Sequence, residues 1–290
     1  MLNLALLIMK KILFSIYLLL SCSISFAQKQ KLDLSNSADN LQAYIKTRGS
    51  LDSSEEVVFY DEGYIYAMLP EQPIKQLFKF QMYNIARFIP NDSGYTQLTR
   101  EMLVYEDAAT GQILQHWYNP YIKDSVNVIP VWNDPVNAIL ESDGFSIDYM
   151  HMGKNQLCFY LDLPLFYPSP LKKKDWPLNS RSDMYQAAEM FQFFVNEKDL
   201  YNKKIKNAPC DIAWTRVCDF LPWMQMGDKP GYLLFSSRGW KLKGGWNDLP
   251  QNIKDFVLSN APEYQHAPTV YTKPNMTSWK YFKKIMEKKN

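Results

Sequence analysis

Histidine, glycine and cysteine are scarce in this chain. Its three histidines, His116, His151 and His266, are scattered and never fall into a CxxC or HxxxH spacing. No zinc or copper ligand set is legible, and no metal is expected. Only 11 glycines are present, with no phosphate-cradling loop and no GxSxG elbow, so neither nucleotide binding nor serine-hydrolase chemistry has a motif to rest on and no cofactor is expected. Of four cysteines, Cys22 lies near the N-terminus and Cys158, Cys210 and Cys218 lie beyond it. Three is an odd number, which argues against a disulfide framework, although Cys210 and Cys218 remain a candidate pair in an oxidising compartment. Net charge is scarce too. The chain has 32 basic and 30 acidic side chains, and Lys10 and Lys11 account for the excess. Without a net field, nucleic acid is not expected as a partner.

Long apolar runs are also missing, apart from Ile12 to Leu20. That run follows Lys10 and Lys11 and precedes SCSISFAQ, which places Ser25 and Ala27 at the small-residue positions of a signal-peptidase site. Residues 1–27 therefore read as a signal peptide and 28–290 as a single exported domain, periplasmic or extracellular. The alternative is a lipid anchor at Cys22, because LLSC, Leu19 to Cys22, resembles a lipoprotein box. A bilayer span needs about 20 apolar residues, so no transmembrane segment is expected.

Aromatic residues, by contrast, are abundant at 15%. They recur in short runs of period two, broken by turn chemistry. SADNLQAYIKTRG reads as an N-terminal helix with Ser37 as cap and Gly49 as stop. VVFY and YIYAML flank DEG at 61–63, which reads as a hairpin with Gly63 in the turn. Leu77 to Phe88 and TQLTREMLVYED form a second hairpin about NDSG. QILQHWYNP, SVNVIPVWND, FSIDYMHM and QLCFYLDLPLFYP continue the series. In MHM, 150–152, a strand would turn His151 away from both methionines, which favours packing over copper. YQAAEMFQFFVNEKDL reads as a strand, as do CDIAWTRVC, GYLLFSS and GWKLKG. Leu249, Ile253, Phe256 and Val257 then form a helical stripe, and Trp279, Phe282 and Met286 line a last helix rich in lysine. The expected fold is mainly β, a β-rich α+β arrangement. It is an antiparallel meander, barrel-like or strongly bent, with short N- and C-terminal helices.

Several of these segments carry a family resemblance. REMLVYEDAATGQILQHWYNP (100–120), VWNDPVN (131–137), YPSPL (167–171), YQAAEMFQFF (185–194), WTRVCDFLPWMQMGDKPG (214–231) and NMTSWKYFKK (275–284) resemble the ordered blocks of the domain-of-unknown-function family 1838. The resemblance covers nearly the whole chain after residue 27. It implies a domain extent and no activity, cofactor or catalytic residue.

Candidate chemistry must therefore come from polar groups set in apolar strands, where burial without a partner is costly. Arg87, Arg100, Glu101, Glu189 and Arg216 qualify. An arginine on an inner wall would clamp a carboxylate; the structural alternative is ion pairing, for instance Arg87 with Glu101 across the second hairpin. Arg100 and Glu101 are strand neighbours and cannot both face one cavity. Asn133 and Asp134 in WNDP suit an Asx-type turn, with Asp134 as a candidate general base and His116 as a candidate acid. LPWMQMGDKPG, 221–231, reads as the end of a strand and a reversal. Its Trp223 and Met226 serve either as a core cap or, with Trp117 and Trp214, as the wall of a ligand cavity.

Three functions follow. The first is binding of a small apolar or aromatic ligand by Trp117, Trp214, Trp223 and Met226, with Arg87, Arg100, Asn133 or Arg216 at its polar end. The second is a cofactor-free isomerase, lyase or hydrolase using Glu189, Asp134 or His116. The third is an envelope protein-interaction module. Oligomeric state is not legible.

Overall fold

Alternating strands dominate a computed structural model that describes residues 32–288, so the signal-peptide and lipoprotein readings lie outside the described residues. In chain order the strands are β1 (Val57–Met68), β2 (Lys75–Asn91), β3 (Gly94–Asp107), β4 (His116–Asn119), β5 (Asp124–Asn127), β6 (Val131–Asn133), β7 (Ala138–Glu141), β8 (Asp148–Met152), β9 (Gln156–Pro168), β10 (Met184–Asn196), β11 (Cys210–Cys218) and β12 (Tyr232–Leu242). Four helices accompany them: α1 (Ser37–Arg48), α2 (Glu197–Tyr201), α3 (Gln251–Asn260) and α4 (Ser278–Glu287). Ten strands form one antiparallel sheet in the order β6-β3-β2-β1-β12-β11-β10-β9-β8, with β7 also on β3, while β4 and β5 make a separate hairpin.

Two meanders, β1 to β3 and β8 to β12, are sewn together where β1 pairs with β12 from Val58 opposite Leu242 to Met68 opposite Tyr232. Glycine makes that seam possible. A Cβ on Gly63 would lie 2.1 Å from the Ser236 carbonyl oxygen, and one on Gly239 would lie 2.2 Å from that of Tyr60. This overturns the hairpin expected at DEG: β1 runs straight through residues 61–63, and Gly63 serves close approach rather than a turn. The barrel expectation is corrected as well. Because β1 and β12 join mid-sheet, β6 with β7 and β8 remain as edges and the sheet does not close. β7 and β9, near opposite edges, nonetheless line one cavity.

Each long strand sends alternate residues to the two faces. On the inner face Ile65, Phe78, Phe80, Tyr105, Trp214 and Phe235 form the main core. On the outer face Tyr83, Ile85, Met102 and Val104 are buried as well, because the stripe of α3, with Ile253 and Val257, covers them. There Trp132 stacks on Phe256 at 5.8 Å and the Tyr83 hydroxyl donates to the Tyr264 carbonyl at 2.9 Å.

Both ends of the inner face are plugged. At one end lies α1, whose cap is Asn36 rather than Ser37: the Asn36 side chain accepts from the amides of Ala38 and Asp39. Its C-terminal carbonyls, from Lys46 and Gly49, accept from the buried Lys241 ammonium at 3.0 Å each, a cation where the helix dipole favours one. The other end is closed by the 221–231 segment. Pro222–Met224 makes a single 3-10 turn, and the chain reverses through left-handed Gln225 and Gly227, both at φ 54°. Trp223 packs against Tyr105, Phe78 and Trp117 at 5.2, 5.8 and 6.2 Å between ring centroids. That segment is a core cap.

The three cysteines among the described residues, Cys158, Cys210 and Cys218, are free and buried. Cys210 and Cys218 end the same nine-residue strand, which at about 3.3 Å per residue holds them roughly 26 Å apart. A disulfide needs Cα atoms within about 7 Å, so the candidate bridge is ruled out.

Candidate functional site

Between the two plugs lies a cavity of about 490 Å³, within the roughly 300–1,000 Å³ range of small-molecule sites. Much of its wall is apolar: Leu161, Leu163 and Leu165 of β9, Leu140 of β7, Phe191 and Phe193 of β10, and Trp214 of β11. The stretch from Asn275 to Trp279 forms a further wall. It is held by paired bonds between Asn137 and Asn275, each 2.9 Å, and by Trp279 against Tyr185 at 4.8 Å.

Polar groups enter this apolar space from four directions. From β11, Arg216 Nη1 donates to Glu189 Oε1 at 2.6 Å and Nη2 donates to the Tyr185 hydroxyl. The Arg216 guanidinium keeps its charge: burial works against it, but Tyr185, Glu189 and Cys218 more than offset that. Burial drives the Tyr185 hydroxyl well above the usual phenol range. From β3 comes Glu101, whose Oε2 accepts from Asn133 Nδ2 at 3.2 Å. Burial, followed by the negative charge of Glu189, raises the Glu101 carboxyl above the usual range, against the opposing pull of Asn133, Arg48 and Arg216. Asn84 stands opposite Glu101 on β2, and from the α1 plug Arg48 reaches in with its guanidinium 5.1 Å from the Phe59 ring centroid.

Five buried polar atoms of residues on this wall have no hydrogen-bond partner: Arg48 Nη1, Asn84 Oδ1, Asn133 Oδ1, Trp214 Nε1 and Arg216 Nε. An unmet buried donor or acceptor costs about 1–3 kcal/mol. The gathering of these residues around one apolar space makes the cavity the candidate site.

Of the residues singled out from sequence, Glu189, Arg216, Trp214 and Asn133 line this cavity. Arg87 does not. It faces the outer side and bonds to Glu56 at 2.9 Å, in a cluster where Glu56 also meets His266, so the expected Arg87–Glu101 pair is replaced. Arg100 also lies outside, on Asp134 at 2.8 Å and on the carbonyls of Glu263 and His266, tying the segment after α3 to the sheet. Asp134 is thereby engaged in an ion pair, and His116 is exposed on β4. Trp117, Trp223 and Met226 belong to the core beside the cavity. Glu101, also singled out as a polar group in an apolar strand, lines it too. Two cavity residues escaped the reading: Arg48 looked like an ordinary basic residue in a last helical turn, and Tyr185 had nothing to distinguish it from the other aromatics. The i, i+4 spacing of Tyr44 and Arg48 was the available clue to the first.

Residues 54–286 match the family described as "Protein of unknown function (DUF1838)". The chain belongs to this family. The match takes in every strand of the sheet and α4 up to Met286, while α1, the source of Arg48, precedes it. No match to a curated protein was found. Among the described residues no helix is long and apolar enough to cross a membrane, and no three His, Cys, Asp or Glu side chains converge as a metal site.

Beside the cavity, Asp61 carries a pH dependence. It is buried on β1, where Ser237 Oγ donates to it at 3.2 Å, and burial lifts its pKa to about 7 against the smaller opposing effects of Ser237 and Arg48. The unfolded chain releases this proton near pH 3.8. Between those values the native state holds a proton that the unfolded state has lost, so the Asp61 contribution to stability falls as pH rises from about 4 to 7. Asp61→Asn should therefore raise the melting temperature more at pH 8 than at pH 5. An equal gain at both pH values would show that ionisation is not involved.

Proposed function

We propose that this protein binds a small, largely apolar or aromatic molecule in the cavity of the bent sheet, in the periplasm or outside the cell. The observation that carries the reading is the gathering of five residues with unpartnered buried polar atoms around one apolar space. A ligand with an apolar body and one polar end would satisfy them and cover Leu161, Leu163 and Phe191. The shared lining supports the same reading, because β7 and β9, from opposite halves of the sheet, contribute to one cavity. The test is native mass spectrometry with organic extraction of the chain from Gln28, joined to uptake of a neutral lipophilic dye such as Nile red. An extracted small molecule, or stoichiometric dye binding weakened by Trp214→Ala, is the expected result. An empty extract together with no dye uptake would overturn the proposal.

A second reading, acid–base catalysis without a cofactor, draws on one feature. Glu101, which holds its proton above the ordinary carboxyl range, and Glu189, anchored on Arg216, share the cavity. Two carboxyl groups in different environments suit proton donation and abstraction. Solvent deuterium appearing in the extracted molecule during incubation in D2O, and lost with Glu101→Gln, would favour it over binding alone.

A further inference from the structure

The polar end of the cavity has a definite chemistry. The described residues contain six arginines, and four of them are committed to carboxylates: Arg87 to Glu56, Arg100 to Asp134, Arg181 to Asp219 and Arg216 to Glu189. Arg238 is exposed. Arg48 is different, being only 8% exposed, with Nη1 unpartnered and no carboxylate within ion-pair distance. Buried guanidinium groups are normally paired, because they remain charged at any physiological pH.

The local geometry holds that guanidinium in place. It lies over Phe59, which stands opposite Asn84 on β2, and Asn84 in turn stands opposite Glu101 on β3. The ring contact favours a cation there. Asp61 and Glu101 both feel the charge of Arg48, yet neither is bonded to it, and burial raises the pKa of both. Elsewhere in the cavity, Glu189 already neutralises Arg216. Of the two cations that line the cavity, Arg48 is thus the one without a direct partner; it faces an apolar wall at the α1 end, while the nearby Lys241 ammonium is taken up by the carbonyls of Lys46 and Gly49.

We propose that the cavity takes an amphipathic monocarboxylate, with its carboxylate on Arg48 and its apolar body along β9 and β10. This rests on the binding reading above and adds the ligand class and the residue that selects it. A planar carboxylate matches the guanidinium fork, and the bond is charge-assisted in a setting with little water to compete.

The test compares decanoate with its neutral isostere decanamide by isothermal titration calorimetry, on the parent chain and on Arg48→Gln. The parent should prefer decanoate by roughly ten-fold or more, and Arg48→Gln should abolish that preference while retaining decanamide affinity. Equal affinities in the parent would overturn the carboxylate assignment and leave the binding reading intact. A preference surviving in Arg48→Gln would overturn the role of Arg48. Failure of both probes, with no dye uptake, would remove the binding reading and this inference together. If Arg48→Gln does not fold, Arg48→Lys keeps a cation in the last turn of α1 but loses the fork, and must weaken decanoate several-fold with decanamide unchanged; undiminished decanoate affinity there would equally defeat the assignment.

Discussion

Replacing Glu189 with alanine is expected to lower the free energy of unfolding by about 3–5 kcal/mol, the usual cost of removing one partner from a buried ion pair. The Glu189 and Arg216 side chains retain only 14% and 17% of their exposure, and the bond between them is 2.6 Å. Alanine would leave the Arg216 guanidinium in an apolar wall with the Tyr185 hydroxyl as its remaining bonded neighbour. The loss comes from a stranded charge more than from a missing attraction, which gives the experiment a control. Glu189→Leu combined with Arg216→Met removes both charges, keeps volume and should recover most of the stability. Urea unfolding of the three chains measures this. A double variant as unstable as Glu189→Ala would mean that the pair stabilises the fold beyond its own desolvation.

Trp223→Ala should have an effect of similar size, about 3–5 kcal/mol, typical of deleting a large buried aromatic. Trp223 is 4% exposed and fills the end of the sheet between Phe78, Tyr105 and Trp117. It does not line the cavity. The variant should therefore lose stability while retaining, in its folded fraction, the parent's affinity for a cavity probe, whereas Trp214→Ala should weaken that affinity. Differential scanning calorimetry with dye titration separates the two. A loss of less than about 1 kcal/mol would show that the 3-10 turn relaxes into the space left behind.

Much of the sheet was legible because its cause is local. Phe78, Phe80 and Met82 alternate with Lys79, Gln81 and Tyr83, and period-two patterning of that kind marks a strand whatever it later pairs with. NDSG placed the β2–β3 hairpin for the same reason, and FQFFV overrode the helical composition of its neighbours to make β10. The error at DEG is instructive. Glycine between two aromatic runs has two physical uses, a turn or a close backbone approach, and only the position of β12 beside β1 selects the second. Tyr83 lies on the side of β2 that carries Lys79 and Gln81, yet it is buried, because α3, more than 100 residues later in the chain, covers that face.

The cavity was only half legible. Arg216 and Glu189 could be singled out because charge inside an apolar strand is costly wherever the strand lies. Arg87 and Arg100 satisfied the same criterion but face the other side, where Glu56 and Asp134 meet them.

Sequence alone determined most of the strand segments, the helical ends, the lack of nucleotide and metal motifs, and the family, because each depends on residue type at short spacing; it split β1 at DEG and β12 between GYLLFSS and GWKLKG, each of which is one strand. Tertiary structure decided that β1 and β12 meet mid-sheet, that the sheet stays open, that Cys210 and Cys218 lie at opposite ends of a strand, and that Arg48, Glu101 and Glu189 face one space. Those outcomes depend on which face and which neighbour each strand acquires, and strand period fixes alternation without saying which side becomes the inside.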